Sequence, residues 1–397
     1  MRENLQMRQV GLAFLLAGVF VLISLVLLQG VVLAKIKGKG AFGCGELDQA
    51  TIDGSDPGDT IMMMEFETSS DGPVVIGKRL TLQGGWRPIS DDCQNDLNGD
   101  PYTATFDTLA EALVYFNYDP NKISDLPAPI DYPPAPLGPI LIISPSLSAK
   151  LTLEQLKFDR NEISNQSGAG IAGTVSNNAQ VILKKARVEQ NIVTNGNGGG
   201  LNLTVQNGAR LEISDTQFNN NQATGEGGGV RLIIRGGSVV TITDSRFSGN
   251  QGNSGAGLSA DVREGSRLVI LNSQFLSNTV NTGGGGFEIF VRDNSQVLIN
   301  NTQVASNTST SGSGGGGRLV IDYGSVTIVN SAFFGNKANN GSGGGLTARG
   351  TGVGPASLIL ENTLINNNTA LVNNNLHLTG TVVLLDKRLF LPIVLKK

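Results

Sequence analysis

Residues 211–258 read LEISDTQFNNNQATGEGGGVRLIIRGGSVVTITDSRFSGNQGNSGAGL. Two copies of one pattern lie inside them. Alternating apolar pairs, Leu211 with Ile213 and Val240 with Ile242, each end five residues before a Phe, and Phe218 and Phe247 are each followed three residues later by Asn. A Gly cluster, 227–229 or 255–257, then opens a second apolar run, as in Val230, Leu232 and Ile234. Alternation of period two, rich in β-branched residues, describes a strand with one buried face. Turn residues such as Gly236, Gly237 and Ser238 separate the runs. One unit is therefore two longer strands and a short third strand that carries the Phe.

Outward from this stretch the same tetrapeptide recurs as Phe158 with Asn161, Val188 with Asn191, Phe275 with Asn278, Val304 with Asn307, Phe333 with Asn336 and Ile365 with Asn368. With Asn221 and Asn250 this makes one Asn column with steps of 30, 30, 29, 28, 29, 29 and 32 residues. The alternating pairs continue as Leu268 and Ile270, Val297 and Ile299, and Val326 and Ile328. Such a unit cannot bury its own apolar face, so units must stack. The expected class is all-β, a right-handed single-stranded parallel β-helix, or β-solenoid. A leucine-rich repeat has a similar period but needs a Leu-x-x-Leu-x-Leu strand, which is absent. The repeated Asn is expected in turns, where it tolerates left-handed backbone angles, and its amides can bond along the stack.

Gly-Gly-Gly or Gly-Ala-Gly before an apolar residue, paired with Phe-x-x-Asn, resembles the repeats of polymorphic outer membrane proteins. It also resembles those of similar pectin-lyase-like surface proteins. The likeness covers about 168–385 and rests on examples such as Gly255-Ala256-Gly257-Leu258 with Phe275-Leu276-Ser277-Asn278. The stretches 58–61, 74–78 and 80–86 look like first coils of the same fold. The resemblance implies secretion and often adhesion. Only about ten residues follow Lys387, so an autotransporter barrel is not expected in this sequence.

Residues 1–34 are expected to be a signal peptide or a membrane anchor. Arg2 and Arg8 precede an uncharged run from Val10 to Leu28, about as long as a spanning helix needs. Lys35, Lys37 and Lys39 after the run would by charge keep the rest of the chain in the cytoplasm. Cys44 and Cys93, the sole cysteines, can pair in an oxidising compartment, and with the architecture they favour export to the cell surface or beyond. Residues 35–106 are read as N-terminal coils or a cap. Residues 107–148 are a Pro-rich insertion in which 108–116 suggests a short amphipathic helix. Repeats fill 149–385, and 386–397 is a capping tail.

Charged residues are 16% of the chain and the net charge is -4, which excludes nucleic-acid binding by charge. With 1 His and 2 Cys, a His- or Cys-rich metal centre is excluded, and no cofactor is implied. The fold class includes polysaccharide lyases and hydrolases, which need paired acids, or acids for Ca²⁺ with a basic residue. His377, between Leu376 and Leu378, is expected outward and without a local partner. Asp261, Asp293 and Asp322 are read as surface acids, with Asp261 and Asp322 in one column interrupted by Phe290. Arg235, Arg263 and Arg292 occupy one outward column on three successive coils. Glu264, Asp293 and Glu288 are the nearby acids that can neutralise them. The expected function is a non-enzymatic adhesive or glycan-binding surface protein. A pectin-lyase-like enzyme and a structural envelope component are the alternatives. Polysaccharide or another surface ligand is the expected partner, with the membrane a second one if residues 1–34 are retained.

Overall fold

The computed structural model describes residues 36–37, 60–64, 67–69, 74–76, 80–86, 104–107, 112–115, 141–143, 150–154, 156–352 and 354–387. They form a parallel β-solenoid of about eight turns. One coil is represented by Val230–Ile234, Val239–Thr243, Arg246–Ser248 and Gln251–Gly252. Each strand pairs in parallel with its counterpart one coil away: Val230 with Leu258, Val240 with Leu268, Phe247 with Phe275, Gln251 with Thr279. The first two strands of every coil share the largest sheet, and the third and fourth build two smaller ones. The fourth strand goes beyond the three-strand unit of the sequence.

The inward columns are the expected ones. Leu211, Ile213, Val240, Ile242, Leu268, Ile270, Val297, Ile299, Val326 and Ile328 are all buried. The third strand lines up Phe158, Val188, Phe218, Phe247, Phe275, Val304, Phe333 and Ile365 inside the coil. Rings stack face to face at 5.1 Å between Phe218 and Phe247, and at 4.6 Å between Phe247 and Phe275. Val304 would leave a gap in that pile. Phe287 of the first strand fills it, edge-on to Phe275 at 5.6 Å and to Phe333 at 6.1 Å. Gly317 follows Phe287 in the column, and a Cβ there would meet the ring at 2.5 Å.

The repeated Asn is buried rather than turned to solvent, in all eight copies. The amide of Asn221 donates to the Oδ1 of Asn250 at 3.1 Å and to the Val188 carbonyl at 2.8 Å. Its backbone N–H donates to the same Oδ1 at 3.0 Å. Asn250 repeats the set toward Asn278, and Asn278 toward Asn307. In the middle of the stack each amide thus uses both N–H groups and accepts twice, which exhausts its capacity. The left-handed turn expected of this Asn belongs to the residue before it: Arg160, Gln190, Asn220, Gly249, Ser277, Ser306, Gly335 and Asn367 have φ between 50° and 67°. Outside Gly such a backbone costs about 1–2 kcal/mol, so the paired amides impose it on Arg, Gln and Ser alike.

The Gly cluster serves the same ladder. The third Gly lies against the Asn of its coil. A Cβ on Gly229 would sit 3.0 Å from the Asn250 Cγ and 2.8 Å from the Gly257 carbonyl, and Gly316 stands likewise to Asn336. In the last coil that position is Asn375, whose carbonyl takes the bond from Gly345. Its side-chain oxygen accepts both the backbone N–H of Asn368 at 3.3 Å and the Asn368 amide at 3.2 Å. Asn375 therefore ends the ladder from the site of the missing Gly. Beyond it Leu376, Leu378, Val382 and Leu384 are only partly buried.

Of the helix expected over 108–116, the described residues 112–115 are not helical. Ala112–Tyr115 is a strand, antiparallel to Ala104–Asp107 and to Glu67–Ser69. Two strand partners satisfy its backbone, whereas a lone nine-residue helix is marginal in water. Leu141–Ile143, inside the expected insertion, already belongs to the solenoid and joins Val74–Ile76 to Ile171–Val175. The apolar run at 10–28, Cys44, Cys93 and the tail 389–397 lie outside the described residues. Among the described residues no helix is long and apolar enough to cross a membrane.

The ladder predicts unequal effects along its length. Asn250→Ala takes from the Asn221 backbone N–H and amide N–H the one oxygen that both donate to in the core, and should lower stability by about 3 kcal/mol or more. Asn375→Ala removes one terminal acceptor and should cost about 1 kcal/mol. Urea unfolding of both variants measures the difference, and equal losses would contradict the ladder.

Candidate functional site

The inside of the coil is filled, so chemistry is confined to outward side chains and turns. The first strands Val230–Ile234, Leu258–Val262 and Phe287–Asn300 are in register. Arg235, Arg263 and Arg292 follow their inward Ile234, Val262 and Val291, and so stand in one outward column as expected. Gln206 precedes them in that column and Asp322 follows, opposite Arg292. Coils repeat at about 4.8 Å, a spacing at which like charges repel.

Each Arg is held differently. Arg235 donates to Gln206 Oε1 through Nε at 2.9 Å and Nη2 at 2.6 Å. Arg292 Nη1 lies 3.3 Å from Asp261 Oδ1, and its guanidinium lies 5.2 Å from the Phe290 ring centre. Arg263 Nη1 stands 3.8 Å from Asp261 Oδ2, and its Nε 3.8 Å from Glu264 Oε1. Glu264 thus acts as expected, but the main counter-charge is Asp261, shared by two arginines. Glu288 is buried and pairs with Arg318 instead. It lies in the first outward row of the strand, between Ser259 and Arg318, away from the Arg column.

Asp261 and Asp322 do not share a column. The register is Ile233, Asp261, Phe290, Val320, so Asp322 lies two residues further along its strand, in line with Arg292. His377 does have a local partner, Asn373, whose amide nitrogen lies 2.6 Å from its Nδ1. The sequence reading also missed a polar hollow outside the bend between the third and fourth strands, lined by Arg160, Gln190, Asn220 and their neighbours. Its only signal was the long polar residue before each ladder Asn in the first three coils.

No family model matches this chain, and neither a curated protein nor a solved structure matches it.

Asp261 is the test of how the Arg column is held. Asp261→Asn should lower stability by no more than about 1 kcal/mol, because Arg263 and Arg292 remain partly solvated. The loss should shrink as salt is raised from 0.05 to about 1 M, where screening is nearly complete. Thermal unfolding at the two ionic strengths reads this directly, and a salt-independent loss would mean that Asp261 acts through packing instead.

Proposed function

We propose that this chain is an exported, non-catalytic surface protein of the right-handed parallel β-helix class. In this reading its outer face binds an extended anionic glycan along Arg235, Arg263 and Arg292. The observation that carries the proposal is the single outward register of the three arginines on consecutive coils. Asp261 and Glu264 are the carboxylates within 4 Å of them among the described residues, so cations remain in excess. A rigid row of guanidinium groups suits a polymer with regularly spaced carboxylates or sulfates, since the fork geometry of Arg matches such groups. The Gly-Gly-Gly and Phe-x-x-Asn repeats, similar to those of polymorphic outer membrane proteins and pectin-lyase-like proteins, support an adhesive role. The apolar run at 10–28 supports export.

One arrangement favours a second reading. A largely buried carboxylate held between two arginines on the outer side of the sheet also suits a polysaccharide lyase, in which an acid and a base meet at the scissile sugar. A structural role in the envelope requires no ligand at all.

One experiment separates the three. The full chain is titrated with polygalacturonate and with a sulfated glycan, beside the Arg235→Ala/Arg263→Ala/Arg292→Ala variant. Binding that weakens at least about tenfold in the variant, and falls with added salt, supports the proposal. Release of unsaturated oligosaccharides would replace it with the lyase reading. Absence of binding would leave the structural role.

A further inference from the structure

The bend between the third and fourth strands changes character along the axis. In the first three coils of the Asn ladder the left-handed residue before the ladder Asn is Arg160, Gln190 or Asn220. The residue after it is Glu162, Ile192 or Gln222. These side chains wall a hollow of about 630 Å³. A second hollow of about 370 Å³ shares Asn220 and is walled by Glu189, Gln217, Asn219, Arg246 and Ser248. From the fourth coil of the ladder to the seventh, the column holds Gly249, Ser277, Ser306 and Gly335, and an amide returns only with Asn367 in the last, so the continuous wall of long side chains ends at Asn220.

Several amides of the lining are left over from the chain's own hydrogen bonding. The ladder amides of Asn191 and Asn221 directly beneath are fully paired. Those of Gln190, Asn220 and Gln222 make no side-chain hydrogen bond among the described residues. Asn219 is braced, donating to Glu189 Oε1 and to Gln217 Oε1, both at 3.1 Å. Its own Oδ1 is shielded from solvent and has no partner. A shielded acceptor without a donor is costly.

We infer that this double hollow is a binding site for a neutral saccharide segment. Charge is balanced, Arg160 and Arg246 against Glu162 and Glu189, and Arg160 Nε is already tied to Asp159 at 3.0 Å. An anionic ligand therefore gains nothing here that it lacks elsewhere on the surface. Ile192 is the one apolar side chain in the lining, too little for an apolar ligand or a peptide anchored by side chains. Amides and carboxylates instead offer paired donors and acceptors in a plane, which neighbouring hydroxyls of a sugar can answer with both their proton and their oxygen. The lining has no aromatic ring for stacking, so affinity is of about millimolar order. The site lies on the third and fourth strands and the Arg column on the first, so the two fail or succeed independently.

The test titrates the full chain with neutral oligosaccharides of the β-glucan, α-glucan, mannan and chitin series, and with oligogalacturonate as the acidic series, read by saturation-transfer NMR. The key variant is Gln190→Ser/Asn220→Gly. It copies Ser277 and Gly249 at the same left-handed position and so keeps the bend. At least one series should bind the wild type, with affinity reduced tenfold or more in the variant and unchanged in Arg263→Ala. If the double variant melts early, Gln222→Ala, which is free of the special backbone angle, takes its place. The inference is overturned if no neutral series binds, if the hollow variants bind as well as the wild type, or if only acidic sugars respond to them.

Discussion

A side-chain amide needs room inside a coil, and a glycine supplies it. The whole solenoid depends on that contact. Each ladder Asn must reach the next coil's Asn at about 3 Å while its other N–H turns back to the carbonyl of the Phe column. A Cβ on the third Gly would stand within about 3 Å of the same amide. The two signatures of the repeat are therefore halves of one device. Because the paired amide also accepts the backbone N–H of its neighbour, it fixes the bend, and with it the angle between the smaller sheets. Residues as unlike as Arg160, Gln190 and Ser277 are then carried into the left-handed region by the same local bonds.

A fixed bend gives a constant cross-section, and a constant cross-section turns the outside into a ruler. Any side chain at a given step of the coil reappears about 4.8 Å along the axis. Selection on single residues can then write a row of charges, as with Arg235, Arg263 and Arg292, or a patch of amides, as at Gln190, Asn220 and Gln222. The core absorbs variation without moving the ruler. Phe287 leans into the space left by Val304, Gly317 clears the way for its ring, and the register of the neighbouring strands holds. Function on such a scaffold is a property of rows rather than of pockets assembled from distant loops.

Strand positions and inward columns were legible because period-two alternation and a 29-residue repeat both act through burial. The position of Asn was legible, but its place inside the wall was not. Asn is common in turns, and only the paired ladder reveals a buried amide. The fourth strand escaped notice for a simpler reason: it turns a single side chain inward per coil, and that column runs Ile163, Val193, Ala223, Gly252, Val280, Ser309 and Ala338, so no alternation and no constant residue type mark it. Asp261 was read as a solvated acid because, apart from Arg263 two residues on, its neighbours Arg292 and Phe290 come from the next coil, about thirty residues away in sequence. Ala112–Tyr115 was misread as helical because its partners, 67–69 and 104–107, lie outside the repeat. Asn375 breaks the Gly pattern only where no further coil presses on it, and the end of a ladder cannot be seen from one repeat.

The account stands or falls on the buried amides, and their proton exchange tests it most directly. With Asn labelled at Nδ2, the protein in D₂O should give one slowly exchanging set, from Asn191, Asn221, Asn250, Asn278, Asn307 and Asn336, as protected as the backbone of the large sheet. A second set, from exposed residues such as Asn195 and Asn340, should exchange at once. If the ladder amides exchange as fast as the exposed ones, the central contact is absent and the coil is held by its apolar columns alone.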